Sequence, residues 1–363
     1  MPMLSPIFLF SFFVTGTLLT TSSHSAYPTE MPVTFTSFIH HAEPTITKLS
    51  DPPAKKILPS LTFTMQSYNN CGPASLSMTL SHYGLSISQE ILADSLRPHR
   101  NGFGIDDDKS TTLEEMAEEA KKYDLRPYHR PNGTLTQMKQ FIAHGMPIIT
   151  KEWLNETEDI GHYRLLRGYD DITQEIIQDD SYEGKDLRFS YPLFDKLWEK
   201  YNYEYLVLVP KEKQHIAEMI LGEDNDPKVA WQHAAEKAEK KFTENPNDVA
   251  SGFNLVAASY ELGNYEKAVK VFEQIESLLP RRALWYQIEP IQAYFELGNY
   301  ERVFALSDAI INDTNPAVTE LYVLRGEIYK KQGNIEEARA EFEKAVYYNK
   351  NVKEAQEALK ATY

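Results

Sequence analysis

The pattern of apolar and polar residues divides the chain into two parts of different character. Residues 59–212 mix helical patterns with alternating runs that are typical of strands, whereas residues 226–363 show helical patterns alone. In the first part the helices come before the strands, which predicts an α+β domain with an antiparallel sheet. The predicted helices begin after Cys71 and cover 88–96, 112–123 and 135–144; the run at 111–115 (TTLEE) predicts a cap for the third helix, and Thr134 starts the fourth. The predicted strands cover 147–150, 161–169, 175–180 and 203–209.

The second part repeats itself with a fixed period. The segment 262–268 (LGNYEKA) recurs as 297–303 (LGNYERV) and as 332–338 (QGNIEEA), each time 35 residues later. A period in this range is typical of a solenoid of helix pairs with glycine in the turn. The motif resembles the tetratricopeptide repeat over 226–363, with about three repeats, a partial repeat at 227–244 and a capping helix at 350–361. Val303 stands where that family prefers Ala, so looser packing is expected there.

The N-terminal 58 residues differ from both parts. An apolar run at 6–20 is too short for a membrane span and is followed by small residues up to Ala26, which predicts a cleaved signal peptide over 1–26. No Lys or Arg precedes the apolar run, so an uncleaved membrane anchor is the alternative. Residues 27–58 are rich in Pro, Ser and Thr and are predicted to be a linker. We therefore expect an exported protein.

The charge of the chain limits its partners. The 363 residues carry a net charge of −16, and nucleic acids and anionic membrane surfaces both require basic surfaces. A membrane contact is therefore expected only through an uncleaved N-terminal segment. No phosphate-binding G-x-x-x-x-G-K-[ST] motif is present, and we expect neither a cofactor nor a metal ion.

Cys71 is the only cysteine of the chain. It follows Asn69 and Asn70, which are good helix caps, and precedes Pro73, which is tolerated in a first helical turn. The residue is therefore predicted at a helix N-terminus, where the helix dipole lowers the pKa of a thiol and favours the thiolate. The alternative is a buried structural cysteine that acts as a small apolar residue.

A thiolate enzyme needs a base and a group that orients it. His162 is the best candidate base among the ten histidines, because it opens an apolar strand directly after Gly161. If the hairpin turns about Ile172, Asp180 is the diagonal neighbour of His162; a register shifted by one residue brings Asp179 there instead. Gln66, five residues before the cysteine, is a candidate oxyanion donor together with the backbone N–H of Cys71.

Three motifs carry a resemblance to a known family. Gln66-x4-Cys71-Gly-Pro-Ala resembles the nucleophile motif of the C39-like peptidases, which are papain-like cysteine peptidases. The run Gly161-His162-Tyr-Arg-Leu-Leu-Arg-Gly-Tyr resembles their base motif, and the run at 179–182 (DDSY) resembles their third motif, which usually reads Asp-Pro. The resemblance covers 59–212 and implies that Cys71 is the nucleophile, His162 the base, Asp180 (or Asp179) the orienting group and Gln66 the oxyanion donor.

These patterns predict a cysteine peptidase whose repeats bind a substrate or a partner protein. The reaction would be peptide-bond hydrolysis through a thioester acyl-enzyme. The alternatives are transfer of the acyl group to an amine and a non-catalytic domain in a protein-binding scaffold.

Overall fold

The computed structural model of the protein describes residues 48–100, 111–312 and 315–363. The predicted signal peptide, most of the predicted linker and the segment 101–110 lie outside these residues. The described strands are β1 (Lys55–Ile57), β2 (Arg126–Arg130), β3 (Ile148–Asn155), β4 (Glu158–Asp170), β5 (Glu175–Asp180), β6 (Gly184–Ser190) and β7 (Tyr205–Val209).

The helices of the first part lie before, between and after these strands. They are α1 (Cys71–His82), α2 (Gln89–Leu96), α3 (Leu113–Ala120), α4 (Leu135–Ala143), α5 (Tyr191–Trp198) and α6 (Gln214–Leu221). The described helices of the second part are α7 (Pro227–Glu244), α8 (Val249–Glu261), α9 (Tyr265–Ile275), α10 (Ala283–Tyr286), α11 (Glu289–Glu296), α12 (Tyr300–Asn312), α13 (Thr319–Lys331), α14 (Ile335–Tyr348) and α15 (Lys353–Lys360). An α+β domain followed by a helical solenoid confirms the predicted fold class.

The strands of the described residues form one antiparallel sheet in the order β2-β7-β3-β4-β5-β6. The long strand β4 pairs with β3 up to Leu166, and β1 continues that edge opposite 168–170. The linker predicted for 27–58 therefore does not reach residue 58. Lys55–Ile57 belong to the sheet, and Leu58 is buried in the core.

Two apolar cores lie on opposite faces of this sheet. The alternation along β7 sends Leu206 and Leu208 to the core that holds α1, α2 and α3, and Tyr205, Val207 and Val209 to the core that holds α4, α5 and α6. Helix α1 is buried along nearly its whole length, from Cys71 to Ser81. The first residue of α1 is therefore held rigidly against the sheet.

Local sequence signals are sufficient to predict the starts of some helices but not the cap of α1. Thr112 and Thr134 form capping boxes at the starts of α3 and α4, as the sequence predicts. Helix α1 begins at Cys71, also as predicted, but the expected cap is wrong: Asn70 makes no side-chain capping bond and donates to Ser67 Oγ at 2.6 Å. Burial of the whole helix stabilises this start in place of a side-chain cap.

Five elements of the first part, β1, β2, β6, α5 and α6, have no counterpart in the sequence prediction. Strand β2 contains Pro127 and mostly polar residues, and β6 alternates charged residues with few apolar ones. Both lie at the edges of the sheet, where a strand needs fewer apolar side chains. Their pairing partners, rather than their own composition, stabilise them.

The second part contains the predicted helix pairs α8–α9, α11–α12 and α13–α14, and the predicted capping helix is α15. The turns of the three pairs contain Gly263, Gly298 and Gly333, with φ of 75°, 72° and 81°, values that favour glycine. Val303 is as completely buried as Ala268. The larger side chain is therefore accommodated inside the solenoid.

The solenoid contacts the first domain near both of its ends. Near its start, Asn254 of α8 accepts from the backbone N–H of Asn202 at 3.0 Å and donates to the carbonyl of Glu199 at 2.6 Å. Near its end, Asn349 and Asn351 donate to backbone carbonyls at the end of α2 at 2.8–3.1 Å. Both ends of the solenoid are therefore fixed to the domain.

Candidate active site

Cys71 lies at the N-terminus of α1, against the middle strand β4. The residue is 7% exposed, and the backbone N–H of Tyr163 hydrogen-bonds its sulfur. Ser75, one turn later in α1, donates to the carbonyl of Tyr163 at 3.1 Å. These two contacts tie the first turn of the helix to the residue that follows His162.

The hairpin of β4 and β5 brings His162 to Asp180. His162 Nε2 lies 2.8 Å from Asp180 Oδ1, and both side chains are buried. Leu165 lies opposite Asp179 and Leu166 opposite Gln178, which is the register that makes Asp180 the diagonal neighbour of His162. The other ring nitrogen, Nδ1, remains for the hydrogen bond between His162 and Cys71.

Asp180 accepts hydrogen bonds on both carboxylate oxygens. Besides His162, the backbone N–H groups of Tyr182 and Glu183 donate to Oδ1 at 2.7 and 3.1 Å, and Arg164 Nε donates to Oδ2 at 2.6 Å. Burial alone would raise the pKa of Asp180, but the His162 and Arg164 contacts hold it well below its ordinary value. Asp180 is therefore an anion with a fixed orientation.

Asp179 belongs to a different set of contacts. Its Oδ1 lies 2.9 Å from Arg167 Nε and accepts from the backbone N–H of Asp186 at 3.0 Å. Arg167 also pairs with the exposed Asp186 carboxylate. The structure thus brings Asp180 to His162, and Asp179 to Arg167.

The charges of the site favour an ion pair between sulfur and imidazole. Burial alone would raise the pKa of Cys71, but the hydrogen bond and charge of His162, the charge of Arg97 and the Tyr163 N–H together lower it below its ordinary value. Burial lowers the pKa of His162, but bonds to Asp180 and Cys71 more than offset this and raise it to about 9. Both shifts favour the thiolate and imidazolium forms of the pair over the neutral thiol and imidazole.

Gln66, the predicted oxyanion donor, contacts the third motif. Its backbone N–H donates to the carbonyl of Ser181 at 2.7 Å, and Ser181 Oγ donates to Gln66 Oε1 at 2.9 Å. Because the serine holds the amide oxygen, the amide NH₂ group points away from Ser181. The residue that replaces the usual proline of the third motif thus orients the glutamine.

Four residues at the site have no predicted role in the sequence analysis: Arg97, Glu152, Arg164 and Ser181. Arg164 is fully buried and contacts Asp180, Glu152 at 3.2 Å and Glu183 at 3.1 Å. Glu152 lies directly opposite His162 on β3. Arg164 lies two residues after His162 on β4 and therefore on the same face of the sheet. This spacing could have identified Arg164 from the sequence as a neighbour of His162. The register of the β3–β4 hairpin places Glu152, whereas the contact of Arg97 depends on tertiary packing alone.

The repeats also reach this site. Gly161, the residue before His162, has no room for a side chain: an added Cβ would lie 2.6 Å from the Tyr201 hydroxyl and 2.9 Å from the Tyr286 ring of α10. Arg282, just before α10, donates to Asp159 through its backbone N–H at 2.8 Å and its Nη1 at 2.6 Å. A segment of the solenoid therefore packs against the strand that carries the histidine.

Two further searches concern only the described residues. Within 48–100, 111–312 and 315–363, no group of three or more His, Cys, Asp or Glu side chains is arranged to hold a metal ion. In the same ranges, no helix has the length and apolar character required to cross a bilayer.

Comparison with known families identifies both parts of the chain. Residues 54–206 match the Peptidase C39 like family, and residues 319–352 match the tetratricopeptide repeat. These matches confirm the two resemblances found in the sequence. The chain thus combines a part that is similar to the C39-like peptidases with a part that is similar to tetratricopeptide repeats.

Solved structures resemble one part or the other. A C39-like peptidase from Bacillus anthracis is 16% identical, and the alignment covers 43% of this chain and 98% of that one with a TM-score of 0.35. A double glycine motif protease from an AMS/PCAT transporter, solved with the leader peptide, is 17% identical over 43% and 95%, with a TM-score of 0.33. A thermophilic repeat protein from Thermus thermophilus is 24% identical over 37% and 74%, with a TM-score of 0.30. A search of curated proteins finds no match.

Proposed function

We propose that the protein is a cysteine peptidase that hydrolyses peptide bonds through Cys71, His162 and Asp180. The observation that carries the proposal is the continuous buried contact from the Cys71 sulfur through the His162 ring to the Asp180 carboxylate. A purely structural cysteine needs neither a charged histidine nor a buried carboxylate behind it, and burying such a set is costly. The match to the C39-like peptidase family supports the same assignment.

In the proposed reaction the Cys71 thiolate attacks the carbonyl carbon of the scissile amide. The tetrahedral intermediate collapses when the His162 imidazolium gives its proton to the leaving amine, which leaves a thioester on Cys71. His162, now neutral, accepts a proton from water, and the resulting hydroxide attacks the thioester. This second step returns the acid product, the thiolate and the imidazolium.

Two groups in this proposal stabilise the negative oxygen of the intermediate. The backbone N–H of Cys71 lies at the start of α1, where its positive end favours an anion. The Gln66 amide, with its oxygen held by Ser181, offers its NH₂ group as the second donor. Preoriented donors of this kind contribute about 10²–10³-fold to the rate.

Replacement of the nucleophile tests the proposal directly. We expect the full chain to cleave at least one member of a library of blocked peptides, and Cys71→Ala to abolish that cleavage and labelling by iodoacetamide. The matched control is Ser77→Ala, which removes a small polar group from the same helix away from its N-terminus. Cleavage that persists in Cys71→Ala would overturn the proposed nucleophile.

The state of the thiol can be measured without a substrate. We expect iodoacetamide to alkylate Cys71 of the native protein well below the pH at which free cysteine reacts, because His162 stabilises the thiolate. In His162→Gln the onset should move to higher pH. An equal onset in both proteins would contradict the ion pair and leave a structural cysteine.

The repeats have a separate role in this proposal. Tetratricopeptide solenoids present extended surfaces that bind peptides and proteins. We propose that here they help to select the substrate, because α10 contacts the strand that carries His162. A cavity beside α10 is a candidate place for this selection of the substrate.

A further inference from the structure

A cavity of about 440 Å³ lies between the first domain and the start of the solenoid. Its volume falls in the range of about 300–1,000 Å³ that is typical of ligand sites. Most of its wall is apolar, and both parts of the chain contribute. The residues that matter here are Trp153 and Tyr201 from the domain, and Phe253, Leu278, Pro280 and Ala283 from the solenoid.

The cavity contains a polar group that has no partner among the described residues. Gln287 lines the wall, is 3% exposed, and its Nε2 makes no hydrogen bond. A buried amide without a partner costs about 1–3 kcal/mol, a cost that an acceptor on a bound ligand would offset. A peptide carbonyl oxygen is such an acceptor.

The three charged residues of the wall, Asp159, Lys200 and Asp248, each have a contact within the protein, which argues against an ionic ligand; Asp248 Oδ1 accepts from the backbone N–H of Ser251 at 3.4 Å. Asp159, the acidic residue nearest the histidine strand, is neutralised by Arg282, which makes two bonds to it. The Lys200 ammonium lies over the Trp153 ring at 5.0 Å. An apolar group with an adjacent carbonyl fits this lining better than a charged side chain.

The cavity adjoins the proposed catalytic centre. Tyr201 lines it, and its hydroxyl lies against Gly161, the residue before His162. Gln287 directly follows Tyr286, whose ring packs on the same glycine. Burial and the charge of Cys71 raise the pKa of Tyr286 to about 12.

We infer that this cavity is a substrate subsite, formed jointly by the domain and the first repeats, that takes one large apolar side chain of the peptide while Gln287 Nε2 donates to a neighbouring peptide carbonyl. The inference rests on the proposed peptidase function for the identity of the ligand. It gives the solenoid a direct part in choosing the substrate.

The test uses the full chain and blocked pentapeptides in which each position in turn is Leu, Ala or Asp. At one position the native protein should prefer Leu over Ala by about 10–100-fold in kcat/KM. Ala283→Trp, which fills the cavity, should remove that preference and raise KM. Ala250→Phe fills it from α8 and serves as a second variant, and a circular dichroism melt checks that each is folded.

Gln287→Leu tests the hydrogen bond. We expect about a 10-fold loss in kcat/KM for all peptides alike, because the carbonyl is common to them. Gln292→Leu is the matched control: this glutamine of α11 is half-buried and lies outside the cavity, so cleavage should not change. Alkylation of Cys71 by iodoacetamide should stay the same in every variant, which separates the subsite from the catalytic pair.

The subsite and the proposed function fail in different ways. If the native protein cleaves peptides and Ala283→Trp keeps the Leu preference, the subsite is overturned and the peptidase stands. If nothing is cleaved, binding of the Leu pentapeptides to Cys71→Ala, measured by titration calorimetry, decides. Binding that Ala283→Trp removes upholds the cavity, whereas absent or unchanged binding overturns it.

Discussion

Two neighbouring aspartates at the end of β5 have the same chemistry and different surroundings. Asp180 contacts His162 and the fully buried Arg164, whereas Asp179 contacts Arg167, whose second partner Asp186 is exposed. Successive side chains of a strand point to opposite faces. The pleat therefore sends one carboxylate to the candidate catalytic histidine and the other to a structural ion pair.

The difference between the two aspartates shows how a catalytic carboxylate can be told apart from a structural one. Both pairs contain a buried Asp and a buried Arg, so neither burial nor charge distinguishes them. Only the Asp180–Arg164 pair contacts His162, whose ring must hold a proton on one nitrogen in the proposed reaction. Asp180 is therefore part of the proposed chemistry. The two pairs thus provide internal controls for each other.

The largest expected effect separates the two aspartates. Asp180→Asn should lower kcat/KM by about 10³–10⁴-fold, because the amide no longer stabilises the imidazolium or fixes the proton position on the ring. Asp179→Asn should keep the activity of the folded protein near the native value and lower the free energy of unfolding by about 1–3 kcal/mol. Peptide cleavage and urea unfolding of both variants measure this contrast, and equal losses of activity would break it.

The two arginines should differ in stability. Arg164→Met leaves the buried carboxylates of Asp180 and Glu152 without their shared counter-charge, and we expect a loss of about 3–5 kcal/mol in the free energy of unfolding. Arg167→Met strands only one buried carboxylate, Asp179, and should cost less. Urea unfolding at pH 7 compares the two, and a larger cost for Arg167 would contradict the assignment.

The fold could be predicted from the sequence where local signals repeat or agree. The 35-residue period located the helix pairs from three copies in the same register, and the capping boxes located α3 and α4. Strands β2 and β6 could not be found, because edge strands depend on their partners. Strand β1 was not predicted, because it lies in a segment whose Pro, Ser and Thr content is typical of a linker.

The site was predictable as far as its motifs and the hairpin register reach. Those two signals select Cys71, His162 and either Asp180 or Asp179, and the structure brings Asp180 into contact with His162. The contacts of Arg97 and Tyr286 with the site come from elements far apart in the chain. No spacing rule connects them, because their meeting depends on how the sheet and the solenoid pack.

The pKa of His162 should also distinguish the two aspartates, with a smaller effect than that on activity or stability. Since Asp180 helps to raise the pKa of His162 to about 9, the imidazolium should persist through neutral pH and be lost as the pH rises through that value. Asp180→Asn should move this titration to lower pH, and Asp179→Asn should leave it in place. NMR of the ring signal, assigned with His162→Gln, checks both, and an equal shift in the two variants would contradict the separation.

The smallest expected effect lies at the residue that follows the two aspartates. Ser181→Ala frees the Gln66 amide oxygen but keeps the backbone bond between the two residues, so the oxyanion donor loses orientation rather than position. We expect kcat to fall by about 10-fold with little change in KM, a smaller loss than the roughly 10²–10³-fold expected for removing the donor itself. Ser181→Thr keeps a hydroxyl and should retain most of the rate. A fall in KM and kcat together, or no change in either, would mean that Ser181 orients nothing in the reaction and that only Asp180 links the third motif to catalysis.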